Sequence, residues 1–422
     1  MDGLCREYIK IKGGKPLSGV ARIHGAKNAV LPILAATVLN AAENVIEDCP
    51  DLSDVRATLE ILTALGCEAY FENGRAFVDS KNITTASVPF EQMQKMRSSV
   101  IFLGALAARL GEAHMCLPGG CSLGLRPIDM HIEALRALGM EIEVDGLCLH
   151  CYAKNLHPAE IRLKFPSVGA TENAVLAATA TQGVTTITGA AQEPEIDDLL
   201  HFLRKQGHLV FSDGKGCITI NGKQPLHEAH HRVIPDRILA ATLMAGVITC
   251  GGDVVLENIR PDHMESVLHV FRNMGAIFIF SQNAVRVKAS GNVKGDITVE
   301  TLPYPGFPTD VQSVCMAALL KSEGIHEIRE NIFEDRFRVV SEFEKMGANI
   351  IPIGNKVRIV GAKALHGADV EATDLRAGAA LCVAALGAEG DTRVFSVHHI
   401  KRGYDNLPQI LSNMGATAVE KG

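Results

Sequence analysis

The residue whose type and setting most suggest chemistry is Cys121, in the segment PGGCSLGLRP between Pro118 and Pro127. Gly119, Gly120 and Gly124 give this segment an accessible backbone, and Arg126 lies five residues on. A nearby cation lowers a thiol's pKa from its free value of about 8.5, so Cys121 is placed to act as a proton donor or a nucleophile. Gly119 to Gly124 has the glycine spacing of a phosphate-binding P-loop, but Leu125 and Arg126 follow where Lys and Ser/Thr are needed, so that reading fails. A second group of chemically capable residues is Lys27, Arg97, Glu172, Arg237, Asp310 and Arg376. Each falls at or near the predicted start of a helix. Helix starts carry unpaired N–H groups and about half a positive charge, so added cations there point to phosphate or carboxylate binding.

These residues are positioned by a repeat. Six helix-like segments end at Gly66, Gly139, Gly207, Gly275, Gly347 and Gly415, each followed by a strand pattern. Glycine suits the left-handed residue that closes a helix. Each repeat also holds an earlier helix of small apolar residues, such as AKNAVLPILAA or TDLRAGAALCVAAL, apolar almost all round and therefore buried. The unit reads as strand, buried helix, strand, exposed helix, strand, strand. Six repeats of roughly 70 residues, longer than solenoid periods, predict two pseudo-threefold α/β domains with helices inside and sheets outside. The expected boundaries are 24–234 for the domain carrying the Cys121 loop, and 1–23 plus 235–422 for the other.

Composition narrows the function. The chain has 422 residues, 47% hydrophobic and 21% charged, with a net charge of −7 and no Trp, which argues against a nucleic-acid surface. Eleven scattered Cys do not suggest a secreted disulfide framework. Cys148 and Cys151 form a lone C-x-x-C, read as two thiols on a strand. Glu228, His230 and His231 read as a polar surface segment. No metal or organic cofactor is expected. No secretory signal opens the chain, and the longest apolar run, 238–250, is too short for a membrane span, so a cytoplasmic protein is expected.

Taken in order, the motifs GAKNAVLP, DLSDV, MRSS, PGGCSLGLRPIDMHI, SVGATEN, PEI, PDRI, GFPTD, IFEDRF, TDLRAG and KRGY resemble those of the UDP-N-acetylglucosamine 1-carboxyvinyltransferases over essentially the whole chain. The resemblance implies a two-domain inside-out α/β barrel with a cleft that closes over substrate. It implies transfer of enolpyruvate from phosphoenolpyruvate to the sugar 3-hydroxyl, with release of phosphate, in peptidoglycan synthesis and hence in cell shape and division. It implies that Lys27, Arg126, Arg376 and Arg402 hold phosphoenolpyruvate, and that Asn28 lies near the reacting groups. Arg97, Arg126, Pro127, Ile128, Asp129 and Met130 match nucleotide-sugar positions, Lys164, Ser167, Val168 and Gly169 the diphosphate and uridine segment, and Ile332 a nucleotide contact. Cys121 and Asp310 match the proton donor and the residue near the sugar hydroxyl, with Lys27 and Arg402 also in the catalytic set. Cys121 is then also the expected target of fosfomycin-type inhibitors. Leu125, Asp335, Val339 and Lys401 depart from the family pattern and bear on domain closure and turnover.

Two other readings are weighed. The related 5-enolpyruvylshikimate-3-phosphate synthases carry a Ser-rich GSKSxSNR segment where this chain has GAKNAVLP, and lack the Cys loop. A paralogue that binds the nucleotide sugar as a sensor is separated from an enzyme by phosphate release.

Overall fold

The computed structural model describes residues 6–95, 97–116 and 128–422, with side chains for all of these except Lys95, Arg97 and Ser98. The PGGCSLGLRP segment, with Cys121, Leu125, Arg126 and Pro127, lies outside the described residues. Contacts divide the chain into two compact units, one of residues 6–24 and 235–422, the other of the described residues within 25–234.

The repeat is visible in both units. All six helix-closing glycines have positive φ, between 81° and 105°. Each closes its helix with the same pair of bonds. Gly66 N–H donates to Thr63 O and Cys67 N–H to Leu62 O, and the five other glycines repeat this spacing, through to Gly415 to Ser412 O and Ala416 to Leu411 O. These are Schellman caps, which satisfy carbonyls that a bare helix end leaves open.

In the 25–234 unit the inner helices are Lys27–Ala36, Phe102–Leu110 and Val168–Ala178. In the other they are Arg237–Cys250, Thr309–Leu319 and Leu375–Gly387. They are buried along nearly their whole length. Alanine-rich surfaces let three backbones approach, and each trio forms the centre of its own hydrophobic core. The outer helices, such as Pro194–Lys205 and Glu265–Asn273, bury one face only, as their amphipathic pattern requires.

Sheets of four strands flank these helices, and their strands alternate buried and exposed residues. Each holds an antiparallel hairpin, a central strand and one parallel edge strand. In one, Ala229–Arg232 runs parallel to Glu43–Glu47, which pairs antiparallel with Arg75–Asp79. The sheets remain separate, and among the described residues none closes into a continuous hydrogen-bonded barrel. Within each unit the inner helices are buried in the core, and separate half-exposed sheets take the place of a closed barrel.

Two repeats depart from the pattern. The sheet of Glu112–Cys116, Cys148–Tyr152 and Glu141–Asp145 has three strands, with a single parallel bridge from Ser87 to His114 in place of the edge strand. The sixth repeat has only one strand after Gly415, Thr417–Lys421. Its missing partner is the N-terminal strand Tyr8–Lys12, which lies between Asp391–Phe395 and Thr417–Lys421 and pairs with both.

Two sequence readings need correction. Cys148 and Cys151 lie on opposite faces of one strand, and Cys148 forms a disulfide with Cys116, which stands opposite it in the neighbouring strand. The segment around His230 is a strand, Ala229–Arg232, and only part of it faces outward. His231 is buried, with Nε2 3.0 Å from an Asp198 oxygen. Pairing register, invisible in one sequence, decides both.

Candidate active site

Each unit collects polar residues at the starts of its inner helices. In the 25–234 unit, Lys27 is the first residue of its helix, capped by no side chain at Ala26. Its ammonium lies 2.7 Å from a carboxylate oxygen of Asp54, and the two side chains are only 10% and 3% exposed. Asp54 belongs to the DLSDV motif and sits in the first turn of Ser53–Ala64. Burying two opposite charges together avoids the cost of leaving either alone. Asn28, the next residue, is half-buried. Arg97 opens the short 3-10 helix Arg97–Ile101 that leads into the second inner helix.

The predicted nucleotide-sugar segments meet within this unit. Asp129 and Met130 begin the helix Asp129–Ala137, with Ile128 just before it. Asp129 is exposed, and its carboxylate accepts from Met130 N–H at 2.9 Å. His131, one residue on, is buried and contacts Asn173 of the third inner helix at 2.8 Å. Burial drops the His131 pKa to about 4, so the ring is neutral near pH 7. Ser167 caps that inner helix, its hydroxyl accepting from Ala170 N–H at 3.4 Å. Val168 and Gly169 form the helix's first turn. A Cβ at position 169 would stand 2.9 Å from the His131 ring, so glycine is what allows the two helices to meet here. Lys164 is exposed and pairs with Glu133 at 3.0 Å, tying the two segments together at the surface. Glu172, expected near the helix start, is its fifth residue and is buried. Burial first, and then Glu195 and Glu193, push its carboxyl well above the usual range and so disfavour its charged form.

In the other unit, Asp310 is the second residue of its inner helix. One of its oxygens accepts from Arg336 at 2.6 Å and the other from Arg376 at 2.9 Å. Both guanidiniums are almost fully buried. Burial works against the Arg376 charge, but Asp310, Tyr404 and Asp236 outweigh it and hold the group above its ordinary range. Arg376 also reaches the Tyr404 hydroxyl at 3.4 Å, which in turn meets Thr242 at 3.0 Å. Asp236 and Asp374 cap the helices that begin at Arg237 and Leu375, each accepting two backbone N–H bonds. Ile332 is half-buried, and its N–H donates to Glu330 at 2.8 Å. Arg402, also half-buried, closes the short helix Val397–Lys401.

Sequence reasoning gave no role to Arg336 or Asp54. Both lie inside motifs quoted for the resemblance, IFEDRF and DLSDV, but a one-dimensional pattern does not reveal which acid meets which base. Of the departures from the family pattern, Leu125 lies outside the described residues and the other three are accommodated. Lys401 pairs with Glu7 and Glu420, Asp335 with Arg338, and Val339 is fully buried.

Among the described residues no group of three or more His, Cys, Asp or Glu side chains stands ready to hold a metal. Nor is any described helix long and apolar enough to cross a membrane.

Known proteins agree with one another on the family. A family model for EPSP synthase (3-phosphoshikimate 1-carboxyvinyltransferase) matches residues 11–411. A UDP-N-acetylglucosamine 1-carboxyvinyltransferase from Finegoldia magna is 43% identical over 414 residues, covering 97% of this chain and 98% of its own. Another, from Carboxydothermus hydrogenoformans, is 43% identical over 412 residues with the same coverage. The enolpyruvyl transferase NikO from Streptomyces tendae superposes with a TM-score of 0.88 at 25% identity, over 99% of each chain. EPSP synthase from Acinetobacter baumannii, at 19% identity and a TM-score of 0.75 over 99% of this chain and 100% of its own, shares the fold. On these similarities the chain belongs to the EPSP synthase family and, within it, to the UDP-N-acetylglucosamine 1-carboxyvinyltransferases.

Proposed function

We propose that this chain transfers enolpyruvate from phosphoenolpyruvate to the 3-hydroxyl of UDP-N-acetylglucosamine, the first committed step of peptidoglycan synthesis, in the cytoplasm. The observation that carries this reading is identity of 43% along almost the entire chain with enzymes of that name. In the proposed reaction Cys121 protonates the methylene carbon of phosphoenolpyruvate, which makes the adjacent carbon electrophilic. Asp310 helps remove the sugar hydroxyl proton, and the sugar oxygen bonds to that carbon. The resulting tetrahedral phospho-ketal loses a methyl proton and expels phosphate, restoring the carbon–carbon double bond.

Lys27, Arg126, Arg376 and Arg402 hold the carboxylate and phosphate and stabilise charge as it develops. Asn28 stands near the reacting groups. Arg97, Pro127, Ile128, Asp129, Met130, Lys164, Ser167, Val168, Gly169 and Ile332 take the nucleotide sugar. The cluster joining residues 128–131 to 164–173 supports the nucleotide-sugar assignment, because it offers a helix start, a neutral histidine and a lysine in one place. Both oxygens of Asp310 are engaged by arginines, so accepting a hydroxyl proton requires one of those bonds to open.

The test is phosphate release from phosphoenolpyruvate by the purified chain. Release is expected only when UDP-N-acetylglucosamine is present. No release across pH and salt overturns the enzyme reading in favour of a sensor, and release with shikimate 3-phosphate instead would reassign the acceptor. Fosfomycin is expected to add its mass to Cys121, faster with the nucleotide sugar present. Cys121→Ser is expected to lose most activity, and full activity in that variant refutes the proton-donor role.

A further inference from the structure

The outer face of the three-stranded sheet carries four groups that the proposed reaction does not use. Strands Glu112–Cys116 and Cys148–Tyr152 run antiparallel, with His114 opposite His150 and Cys116 opposite Cys148. Alternation along the strands puts all four side chains on one face, while Ala113, Met115, Leu149 and Cys151 point into the core. The result is a square of two imidazoles beside two sulfurs. The His Nδ1 atoms are 3.0 Å apart, and the two cysteines are joined as a disulfide.

We propose that, once this disulfide is reduced, His114, His150, Cys116 and Cys148 bind a divalent transition metal of the zinc type. Two sulfurs and two imidazole nitrogens are a set that selects tetrahedral zinc. With Zn–N of about 2.0–2.1 Å, two nitrogens on one tetrahedral ion stand about 3.3 Å apart, so the histidine pair is already near its bound spacing. With Zn–S of about 2.3 Å the two thiolates need a gap of about 3.8 Å. Directly opposed strand positions supply such gaps, and strand side chains lean along the strand, which lets the two pairs converge.

The surroundings favour a cation. A Glu112 oxygen lies 3.5 Å from His114 Nε2, on the side of the ring away from Nδ1. Ligating histidines commonly present their second nitrogen to a carboxylate in this way. Glu143 stands opposite His150 and Asp145 opposite Cys148 in the third strand. The disulfide itself accounts for the lack of a preassembled site, because bonded sulfurs offer no thiolates. The steps balance. Two equivalents of an external thiol reduce the disulfide, giving two cysteine thiols and the oxidised reductant. The metal then displaces both thiol protons to solvent and keeps its charge state. This site departs from the sequence expectation of no metal, and it does not depend on the transferase reading.

Cobalt(II) tests it, because tetrahedral thiolate–cobalt has intense visible bands and a sulfur-to-metal charge-transfer band. The full-length chain would carry Cys121→Ser, so the loop thiol cannot contribute, and would be reduced with a phosphine before titration. One equivalent of cobalt is expected to bind with both bands and to be displaced by zinc. Cys148→Ser and His150→Ala, checked for folding by circular dichroism, are each expected to weaken binding at least about a hundredfold, the upper end of what losing a ligand's hydrogen-bond partner costs. Cys116→Ser provides a second thiol variant should one fold poorly. Cys151→Ala, on the opposite face, is expected to bind as the parent does. Absence of the charge-transfer band in the reduced chain, or equal binding by the Cys148 and His150 variants, overturns the proposal. Equal binding with the disulfide intact overturns its dependence on reduction.

Discussion

The two units build their inner-helix starts differently. In the unit of residues 6–24 and 235–422, carboxylates are part of the helix starts themselves. Asp236 and Asp374 are caps, and Asp310 lies in a first turn between two arginines. In the 25–234 unit, Ala26 offers no side-chain cap, Ser167 offers a neutral hydroxyl, and burial raises the Glu172 carboxyl's pKa. Its buried acid, Asp54, comes from an outer helix and meets Lys27. The same fold unit is thus tuned two ways. One version satisfies its positive helix ends from within and pairs two buried arginines with Asp310. The other keeps anionic groups off its helix starts, which suits the proposal that residues 164–169 receive a diphosphate.

The sharpest way to break this comparison is Lys27→Met. It removes the cation paired with a buried carboxylate, and a loss of about 3–5 kcal/mol in urea unfolding is expected. Adding Asp54→Leu is expected to restore most of the stability but not phosphate release, which separates Lys27's packing role from substrate binding. Arg376→Met is expected to cost less, about 2–3 kcal/mol, because Arg336 still holds Asp310. If Arg376→Met proves the more damaging of the two, the idea of a shared, reinforced carboxylate is wrong.

Acid should separate the units as well. His131 and His208, both in the 25–234 unit, have pKa values lowered to about 4 by burial, against about 6.5 when unfolded. Between those values the unfolded chain binds protons that the folded chain excludes. Their contribution is therefore complete above about pH 6.5 and lost as pH falls towards 4, by up to about 3 kcal/mol each. Amide exchange is expected to show the 25–234 core losing protection first on acidification, and His131→Gln is expected to flatten that dependence. The smallest effects concern the caps. Asp236→Ala and Asp374→Ala are each expected to cost about 1–2 kcal/mol, and Ser167→Ala about 0.5–1. Equal losses in thermal unfolding would remove the distinction between charged and neutral helix starts.

Local chemistry made much of the fold legible. A glycine at each helix end requires a left-handed residue there, and all six adopt one. Helices of small apolar residues announce burial on every side. Lys27, Arg237, Asp310 and Arg376 were legible as helix-start residues for the same reason. What sequence did not reveal depends on long-range pairing. The partners of Asp310 lie 26 and 66 residues away. Cys116 finds Cys148 only through strand register. The short sixth repeat looks incomplete until Tyr8–Lys12 is seen filling it.

That borrowed strand has a consequence for how the molecule is made. Tyr8 stands opposite Lys421, so the first described strand and the last are neighbours. The 25–234 unit is continuous in sequence, so its described helices and strands are all made before residue 235 is added. The other unit has its opening strand from the start but must wait for the final residues before that strand is flanked on both sides. Loss of Thr417–Lys421 would therefore leave Tyr8–Lys12, more than 400 positions earlier in the sequence, paired on one side only.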